Sequence, residues 1–290
     1  MNPIISIIIP CYNHGLYIHE TIESIEVSKD KYPVEIIIVN DGSTDLNTIQ
    51  VLKEIESKGY FVLNQKNGGL GNARNNGIKI AKGKYILPLD SDNKVEKPYL
   101  NEVIDILEQN PDIDIVYGNA LQFGEASGIW VLDDYNLQHL LLSNFIDACA
   151  VYKKTVWEKN GGYDEKMPIM GYEDWDFWIN SSVNNFKFHH HQDICFQYRV
   201  LNNSMIRTVS GKGIDAVYDY FQTKYDTLID YNFCKKFVVS KLKYTKNDVV
   251  MFSNTMSYKI LFKYIMLKFL TDIKRITGIN FKRFLMKKYK

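Results

Sequence analysis

Two continuous apolar runs near the start of the chain constrain its fold most strongly. Residues 4–10 and 34–40 consist largely of isoleucine and valine, without the polar alternation of a half-exposed strand. Runs of this kind are typical of parallel strands that are covered on both faces. Residues 17–28 and 45–57 carry isoleucine and leucine at helical spacing. The order strand, helix, strand, helix predicts an α/β fold around a parallel sheet.

The same alternation continues to residue 117. Strands are predicted at residues 60–65, 85–89 and 113–117, and helices at residues 72–81 and 98–110. Five strand-like runs in this order are the pattern of a Rossmann-like, nucleotide-binding sheet, whose ligands bind beyond the carboxyl ends of the strands. We therefore expect the functional side chains to follow directly after the strands.

Shorter elements are predicted in the second part of the chain, which we expect to hold a second substrate. The pattern indicates strands at residues 148–153, 187–191 and 194–199, helices at residues 154–160 and 173–183, and helical structure from residue 213 onward.

Composition and charge exclude several classes of protein. A hydrophobic share of 46% is enough for a large core and excludes a disordered or collagen-like chain. The net charge of +1 gives no overall attraction to polyanions, so we expect no nucleic-acid partner. The four cysteines are far apart, which predicts neither a zinc ribbon nor a disulfide framework and fits a reducing cytoplasm. Since neither a long apolar window nor a basic leader is found, we predict no membrane span and no signal peptide.

The last part of the chain differs in charge from the rest. Residues 258–290 carry a net charge of +9, which leaves −8 for residues 1–257. Basic and apolar side chains at helical spacing fit a helix on an anionic membrane surface. Because apolar residues fall nearly all round this helix, packing against the rest of the chain or against a second copy is an equal alternative.

Polar and aromatic side chains follow the first two strands. Pro10, Tyr12 and Asn13 end the first strand, and Asp41 ends the second. A tyrosine ring stacks on a nucleobase, and an aspartate accepts hydrogen bonds from a base or a ribose. Residues 40–43, Asn-Asp-Gly-Ser, are also typical of a turn with a helix cap, and taken alone that interpretation is favoured.

The fourth strand leads into two carboxylates, Asp90 and Asp92. In extended backbone residues i and i+2 point to the same side, and paired carboxylates suit Mg²⁺ or Mn²⁺ bound together with phosphate groups.

Upstream, residues 67–75 form a glycine-rich start of a helix, whose amides favour anions. Arg74 takes the place of the third glycine of G-x-G-x-x-G, which excludes a dinucleotide fingerprint. A plain loop with a surface arginine is the alternative.

The start of the predicted helix at residues 173–183 combines acidic and aromatic side chains. Burial against aromatic rings raises the pKa of a carboxyl group toward the range of a general base. Glu173 and Asp176 share one face of this helix, and Asp174 is turned by about 100° or more from each. We therefore expect only one side of the helix to face a cleft. An acidic first turn followed by core aromatics is the alternative.

Three consecutive histidines, His189, His190 and His191, are further candidate metal ligands. On a strand only His189 and His191 share a face, and no second pair of ligands lies nearby in the sequence. A structural or surface role is therefore the favoured interpretation.

Together, the motifs at residues 10–13, 40–43, 69–75, 90–92 and 173–174 resemble the GT-A glycosyltransferases of family 2 over about residues 3–205. The resemblance implies an inverting enzyme that moves a sugar from a nucleotide-diphosphate donor, foremost a UDP-sugar, with Mn²⁺ or Mg²⁺ as cofactor. The implied nucleotide-binding residues are Pro10, Tyr12, Asn13, Asp41, Arg74 and Asp90. Asp92 is the implied metal ligand and Asp174 the implied general base. Glu173, Trp175, Arg199 and Ser204 are implied at the diphosphate or the acceptor, the last two through the spacing R-x-x-x-x-S.

The resemblance also implies an organisation and a setting. A GT-A domain would bind the nucleotide-sugar with residues 1–118 and the acceptor with residues 119–212, followed by a basic helical extension at residues 213–290. The implied acceptor is a hydroxyl of a surface glycan or a lipid-linked glycan, reached from the cytoplasm or from the inner face of the membrane. The rival functions are a catalytically silent scaffold and a sugar nucleotidylyltransferase. The glycine-rich phosphate loop of the latter is missing after the first strand.

Overall fold

The computed structural model describes residues 2–201 and 211–225. The chain divides into two compact units, Met1–Thr208 and Val209–Lys290, and the described part of the second unit is essentially one helix. The basic segment at residues 258–290 and most of the predicted helical extension lie outside the described residues. Within the described ranges, no helix combines the length and the apolar character needed to cross a bilayer.

The described ranges contain nine strands and eight helices. The strands are β1 (Ile5–Cys11), β2 (Val34–Asp41), β3 (Phe61–Gln65), β4 (Tyr85–Pro88), β5 (Lys94–Val95), β6 (Ile115–Gly124), β7 (Gly128–Trp130), β8 (Val151–Lys153) and β9 (Phe188–Val200). The helices are α1 (Ile18–Glu26), α2 (Leu46–Ser57), α3 (Leu70–Ile80), α4 (Tyr99–Gln109), α5 (Leu137–Leu142), α6 (Lys154–Asn160), α7 (Glu173–Val183) and α8 (Gly211–Lys224).

All nine strands belong to one sheet. Its order is β3-β2-β1-β4-β8-β6-β9-β5, with β7 paired to β6. The first four strands in this order run parallel, as predicted. The short strand β8 is antiparallel to both β4 and β6, so the second half of the sheet is mixed. This mixed α/β sheet with flanking helices confirms the predicted fold class.

The central strand β1 shows why its apolar run is continuous. All seven of its residues are buried, because β2 and β4 flank it and helices cover both of its faces. Ile7 belongs to a core cluster together with Ile22 of α1. Ile8 points to the opposite face, where it meets Gly77 of α3.

The structure differs from the prediction at residues 187–199, which form the single strand β9 instead of two strands. Residues 192 and 193, the polar residues that separate the two predicted strands, lie at a β-bulge. There the register of β9 against β6 shifts beside Gly118 and Asn119. The Asn119 amide donates a hydrogen bond to the carbonyl of Gln192 at this irregularity. The sequence prediction also lacks β5, β7 and α5, since elements of two to six residues are too short to show a period.

Strand β6 runs through residue 118, so the two predicted halves of the catalytic unit share one sheet. Their assignment to donor and acceptor stays a prediction.

The contact between α3 and the sheet gives a test of the packing. A Cβ atom added to Gly77 would lie 2.5 Å from a methyl group of Ile8 and 3.0 Å from a methyl group of Val39. Both methyl groups belong to β-branched side chains on buried strands, so neither moves freely. We expect Gly77→Ala to lower the free energy of unfolding by about 1–2 kcal/mol, despite the better helix propensity of alanine. Denaturant titration measures this change.

Lys79→Ala, at an exposed position of the same helix, is the matched control and should change stability by less than about 0.5 kcal/mol. A Gly77→Ala protein as stable as the wild type would contradict the close packing of α3 on β1.

Candidate active site

A cavity of about 850 Å³ opens beyond the carboxyl ends of β1, β2 and β4. Its other walls come from the start of α3, the segment before β8, the start of α7 and the end of β9. Asp92 and Asp174, far apart in the sequence, both line it. This is the edge at which a parallel sheet binds its ligands.

Most of the residues predicted for the site meet in this cavity. It is lined by Pro10, Tyr12, Asn13, Asp41, Arg74, Asp90, Asp92, Asp174 and Arg199. Glu173 and Trp175 lie outside its lining. Ser204 falls outside the described residues.

An ion pair between a buried arginine and a partly exposed aspartate forms part of the cavity wall. Arg74, with 2% of its side chain exposed, donates from Nη2 to Asp90 Oδ1 at 2.8 Å. Burial by itself would lower the pKa of the Arg74 guanidinium group. The nearby acidic groups, above all Asp90, outweigh burial and raise this pKa above its ordinary value. Arg74 Nε has no hydrogen-bond partner within the described ranges. The alternative of a surface arginine is therefore wrong, because this cation is buried among carboxyl groups.

Asp90 and Asp92 lie in a turn and not in the extended backbone that we predicted. Strand β4 ends at Pro88, and the Asn93 N–H then donates to the Asp90 carbonyl at 3.0 Å. This hydrogen bond closes the turn. Both carboxylates nevertheless line the cavity.

Asp92 is the carboxylate best suited to a divalent cation. Within the described part of the chain, no other residue donates a hydrogen bond to its side chain. Burial and the adjacent charge of Asp90 raise the pKa of Asp92 to about 6, and the charges of His14 and Arg199 offset this rise only in part. A hard cation with oxygen ligands would supply further positive charge, so the donor set fits Mg²⁺ or Mn²⁺.

Asp174 stands at the start of α7 with both carboxylate oxygens engaged. Oδ1 accepts the Trp175 N–H at 2.8 Å, and Oδ2 accepts the Asn144 side-chain amide at 3.0 Å. Burial raises the pKa of Asp174 to about 7, with the charge of Arg74 acting against this rise and that of Glu173 adding to it. A carboxyl group with this pKa exchanges a proton readily near neutral pH.

The neighbours of Asp174 on α7 are turned away from the cavity. Glu173 is 4% exposed and accepts the Gly171 N–H at 2.8 Å, and Asp176 is 1% exposed. Burial raises the pKa of Glu173. Of the three acidic residues in this turn, Asp174 is the one that lines the cavity.

Trp175, which we predicted at the diphosphate or the acceptor, is buried and lies outside the cavity lining. Its side chain is 1% exposed, and its indole N–H donates to the carbonyl of Leu140. Trp178 is likewise buried and donates to the carbonyl of Ile146 at 3.0 Å. These two indoles connect α7 to the chain around residues 140–146, because a buried indole N–H needs an acceptor.

Asp41 holds the glycine-rich loop that precedes α3. Its oxygens accept the Gly68 N–H at 2.8 Å, the Gly69 N–H at 2.9 Å and the Gln65 side-chain amide at 2.8 Å. The two loop amides that we expected to attract an anion are therefore satisfied by this carboxylate. Asp41 thus positions the loop as well as lining the cavity.

Asn13 connects the loops after β1 and β2. Its backbone φ of 56° is left-handed, and its Oδ1 accepts the N–H groups of Thr44 at 2.8 Å and Asp45 at 2.9 Å. Tyr12 next to it is 47% exposed. This leaves the Tyr12 ring open to a planar ligand, whereas the Asn13 amide is already used in the loop contact.

Arg199 at the end of β9 contacts the Asp90–Asp92 turn. Its Nε donates to the Asp92 carbonyl at 3.0 Å and its Nη2 to Glu20 at 2.9 Å. The guanidinium carbon lies 4.5 Å from the ring of Tyr17 and 4.4 Å from that of Phe123. The two rings hold the cation at the cavity wall.

Asp147 lines the cavity and is absent from the predicted set. Its Oδ1 accepts the Cys149 N–H at 2.8 Å. Burial, aided by the charge of Asp90, raises its pKa to about 8. The sequence shows only an acidic residue before an apolar run, which is also typical of a turn, so no pattern distinguishes it.

The histidine run lies on β9 away from the cavity lining. His190 stacks on Tyr117 at 4.9 Å and contacts Asn119, so it is a packed side chain. His191 meets Glu102 at 3.0 Å. His191, Glu102 and Asp193 bring three ligand atoms within 4.8 Å of one another, a second place able to hold a metal ion.

The raised pKa of Asp147 predicts a pH-dependent stability. A carboxyl group that binds its proton more tightly in the folded state stabilises the fold at low pH, and this contribution is lost as the pH rises from about 4 toward about 8. We expect Asp147→Asn to raise the free energy of unfolding by about 1–2 kcal/mol at pH 8.5 and by much less at pH 4.5, because the neutral amide carries no such penalty. Thermal melts of the ligand-free protein measure this difference.

Asp112→Asn, at an exposed turn, is the control and should show no such pH-dependent gain. Equal melting temperatures of Asp147→Asn and wild type at pH 8.5 would contradict the burial of a charge at this position.

The chain is similar to several glycosyltransferases. It is 28% identical over 285 residues to the glycosyltransferase MJ1057 of Methanocaldococcus jannaschii, with 94% of each chain covered. It is 36% identical over 132 residues to the glycosyltransferase GlyG of Streptococcus pneumoniae, covering 44% of this chain and 42% of that protein. It is 27% identical over 273 residues to the chondroitin synthase of Escherichia coli, covering 83% of this chain and 37% of that one.

Solved structures share the fold. TarS residues 1–349 of S. aureus, in complex with UDP-GlcNAc, superpose with a TM-score of 0.59 at 21% identity over 73% of this chain and 64% of that chain. The mannosyltransferase PcManGT of Pyrobaculum calidifontis, in complex with GDP-Man and Mn²⁺, gives a TM-score of 0.55 at 18% identity over 71% of this chain and 59% of that chain. The family profile described as glycosyl transferase family 2 matches residues 6–208, and the chain belongs to this family.

Proposed function

We propose that the protein is an inverting glycosyltransferase that moves a sugar from a UDP-sugar to a hydroxyl group of a glycan acceptor. The observation that carries this proposal is the shared cavity of Asp92 and Asp174. One carboxylate fits a cation beside a diphosphate, and the other, with a pKa raised to about 7 by burial, fits a general base. A transferase needs both groups around one substrate.

The nucleotide would bind along the ends of β1, β2 and β4. The exposed ring of Tyr12 offers a stacking surface for the base, and Asp41 and Pro10 line the same region. Asp90, held by Arg74 at 2.8 Å, offers its remaining lone pairs to ribose hydroxyl groups. The TarS structure with UDP-GlcNAc supports a UDP-sugar as donor and an N-acetylhexosamine as the transferred sugar. The PcManGT complex with GDP-Man supports a hexose as the alternative transferred sugar.

A divalent cation would be held by Asp92 with Asp90 beside it, and the Mn²⁺ in the PcManGT complex supports manganese. When bound, such a cation stabilises the negative charge of a leaving diphosphate. Arg199, close to the Asp92 carbonyl, adds positive charge on the same side of the cavity.

Asp174 would act as the base that activates the acceptor. As the acceptor oxygen forms its bond to the anomeric carbon, its proton passes to the Asp174 carboxylate. The bond between that carbon and the diphosphate breaks, and its electron pair leaves with the diphosphate. One displacement from the opposite face inverts the configuration. Because the base acts deprotonated, we expect the rate to fall as the pH drops below about 7.

The acceptor would be a surface glycan or a lipid-linked glycan. The similarity to a chondroitin synthase supports a polysaccharide product, although this chain spans 37% of that relative. The basic segment at residues 258–290 is the proposed contact with an anionic membrane surface on the cytoplasmic side.

Replacement of the base tests the mechanism. We expect Asp174→Asn to lower UDP release from a UDP-sugar by at least about 100-fold, because an amide accepts no proton from water or an acceptor hydroxyl. UDP binding should persist, since the proposal assigns Asp174 to the acceptor and not to the nucleotide. A coupled assay for UDP, with the donor chosen from a panel of UDP-hexoses and UDP-N-acetylhexosamines, measures the rate. Turnover near the wild-type value would place the base elsewhere.

The metal site has its own test. UDP should raise the melting temperature of the wild type more with Mn²⁺ than without it, because a ligand that binds the folded state stabilises that state. We expect Asp92→Asn to remove this Mn²⁺-dependent increment, since a neutral amide is a weaker ligand for a hard cation. Differential scanning fluorimetry measures it.

His191→Ala is the matched control, because it disrupts a second group able to hold a metal ion among the described residues. It should leave the increment unchanged. Loss of the Mn²⁺-dependent increment in His191→Ala but not in Asp92→Asn would show that the metal binds at His191 on β9 and not at Asp92.

A further inference from the structure

Helix α5 and the segment that follows it are attached to α7 by side chains of α7 itself. Trp175 and Trp178 donate their indole N–H groups to the carbonyls of Leu140 and Ile146. Both rings are buried, so these hydrogen bonds are shielded from water. The residues between the two carbonyls therefore have a fixed position relative to the start of α7.

Asn144 lies between these two attachment points and contacts Asp174. Its Nδ2 donates to Asp174 Oδ2 at 3.0 Å, and its Oδ1 accepts the Ile146 N–H at 3.3 Å. The second hydrogen bond fixes which way the amide faces. A flipped amide would direct its oxygen at the carboxylate and its NH₂ group at a backbone N–H, and both contacts would be repulsive.

We propose that Asn144 is a positioning residue that fixes the orientation of the Asp174 carboxylate for proton transfer. The proposal rests on the function proposed for this cavity. With the Trp175 N–H on Oδ1 and the Asn144 amide on Oδ2, the plane of the carboxylate is set from two sides. Each oxygen keeps a further lone pair for the proton of an acceptor hydroxyl. A general base is effective only when such a lone pair points at that proton.

The Asn144 contact also favours the ionised form of Asp174, because a hydrogen bond donated to a carboxylate lowers its pKa. Other groups act on the same carboxylate from the elements around it. These are Arg74 on α3, Asp147 before β8, Tyr163 after α6, Tyr172 and Glu173 at the start of α7, and Tyr198 on β9. They are the same in wild type and in variants of Asn144, so a change at residue 144 isolates the contribution of its amide.

The test compares Asn144→Ala and Asn144→Asp with wild type over a range of pH. The assay is UDP release with Mn²⁺ from the UDP-sugar that the wild type hydrolyses fastest among UDP-glucose, UDP-galactose, UDP-GlcNAc and UDP-GalNAc. We expect kcat of Asn144→Ala to fall about 10-fold or more, with the KM for the donor within about twofold of wild type. The acidic limb of its pH profile should move to higher pH.

Asn144→Asp separates positioning from a general loss of structure. It is nearly isosteric, but it places a negative charge against Asp174, so its acidic limb should move further up than that of Asn144→Ala. A local packing defect would not shift the midpoint of the acidic limb further in Asn144→Asp than in Asn144→Ala. The matched control is Asn101→Ala, which removes a similar contact between an amide and the Asp30 carboxylate on the surface of α4, and its pH profile should coincide with that of wild type.

Two results would overturn the proposal: acidic limbs of both Asn144 variants that coincide with wild type, or a donor KM that rises while kcat and the midpoint stay unchanged. Failure of the function itself is seen separately. A wild-type protein that releases no UDP from any of the four donors refutes the proposed transferase, whereas an Asp174→Asn variant that stays active refutes Asp174 as the base and the positioning role of Asn144 with it.

Discussion

The ion pair between Arg74 and Asp90 is the interaction on which the site depends most. It joins the helix after the glycine-rich loop to the turn after β4 at 2.8 Å, with the cation almost fully buried. Removing Asp90 would leave the buried guanidinium charge of Arg74 without this partner, which is far more costly than loss of an exposed pair. The pair therefore fixes the distance between α3 and the turn that carries Asp92.

The cavity concentrates negative charge that the described side chains do not balance. The pKa values of Asp92, Asp147 and Asp174 are all raised, to about 6, 8 and 7, with burial as the leading cause in each case. Arg74 and Arg199 are already engaged by Asp90 and Glu20. A cavity of this kind is less stable when it is empty than when it is filled, and the proposed cation would supply the missing positive charge.

Two halves of one sheet contribute different parts of the site. The parallel half brings its loops together through Asn13 and Asp41, which bind neighbouring loops by their side chains. The mixed half contributes Asp174, the proposed base, at the start of α7, and the buried indoles of Trp175 and Trp178 connect that helix to the segment that carries Asn144 and Asp147. In this arrangement the two buried tryptophans support the site from behind, and Asp174 lines the cavity.

The sequence by itself determined the α/β fold and the edge of the sheet where the cavity lies, because continuous apolar strands, amphipathic helices and the residues that follow the strands are local patterns. It also pointed to Asp92 and Asp174, whose motifs stand at the ends of regular elements. Only the tertiary structure decided that Trp175 is buried, that the amides of the glycine-rich loop are satisfied by Asp41, and that Asn144 and Asp147 belong to the site. These properties depend on contacts between residues distant in the sequence, and such contacts leave no periodic signal in the chain.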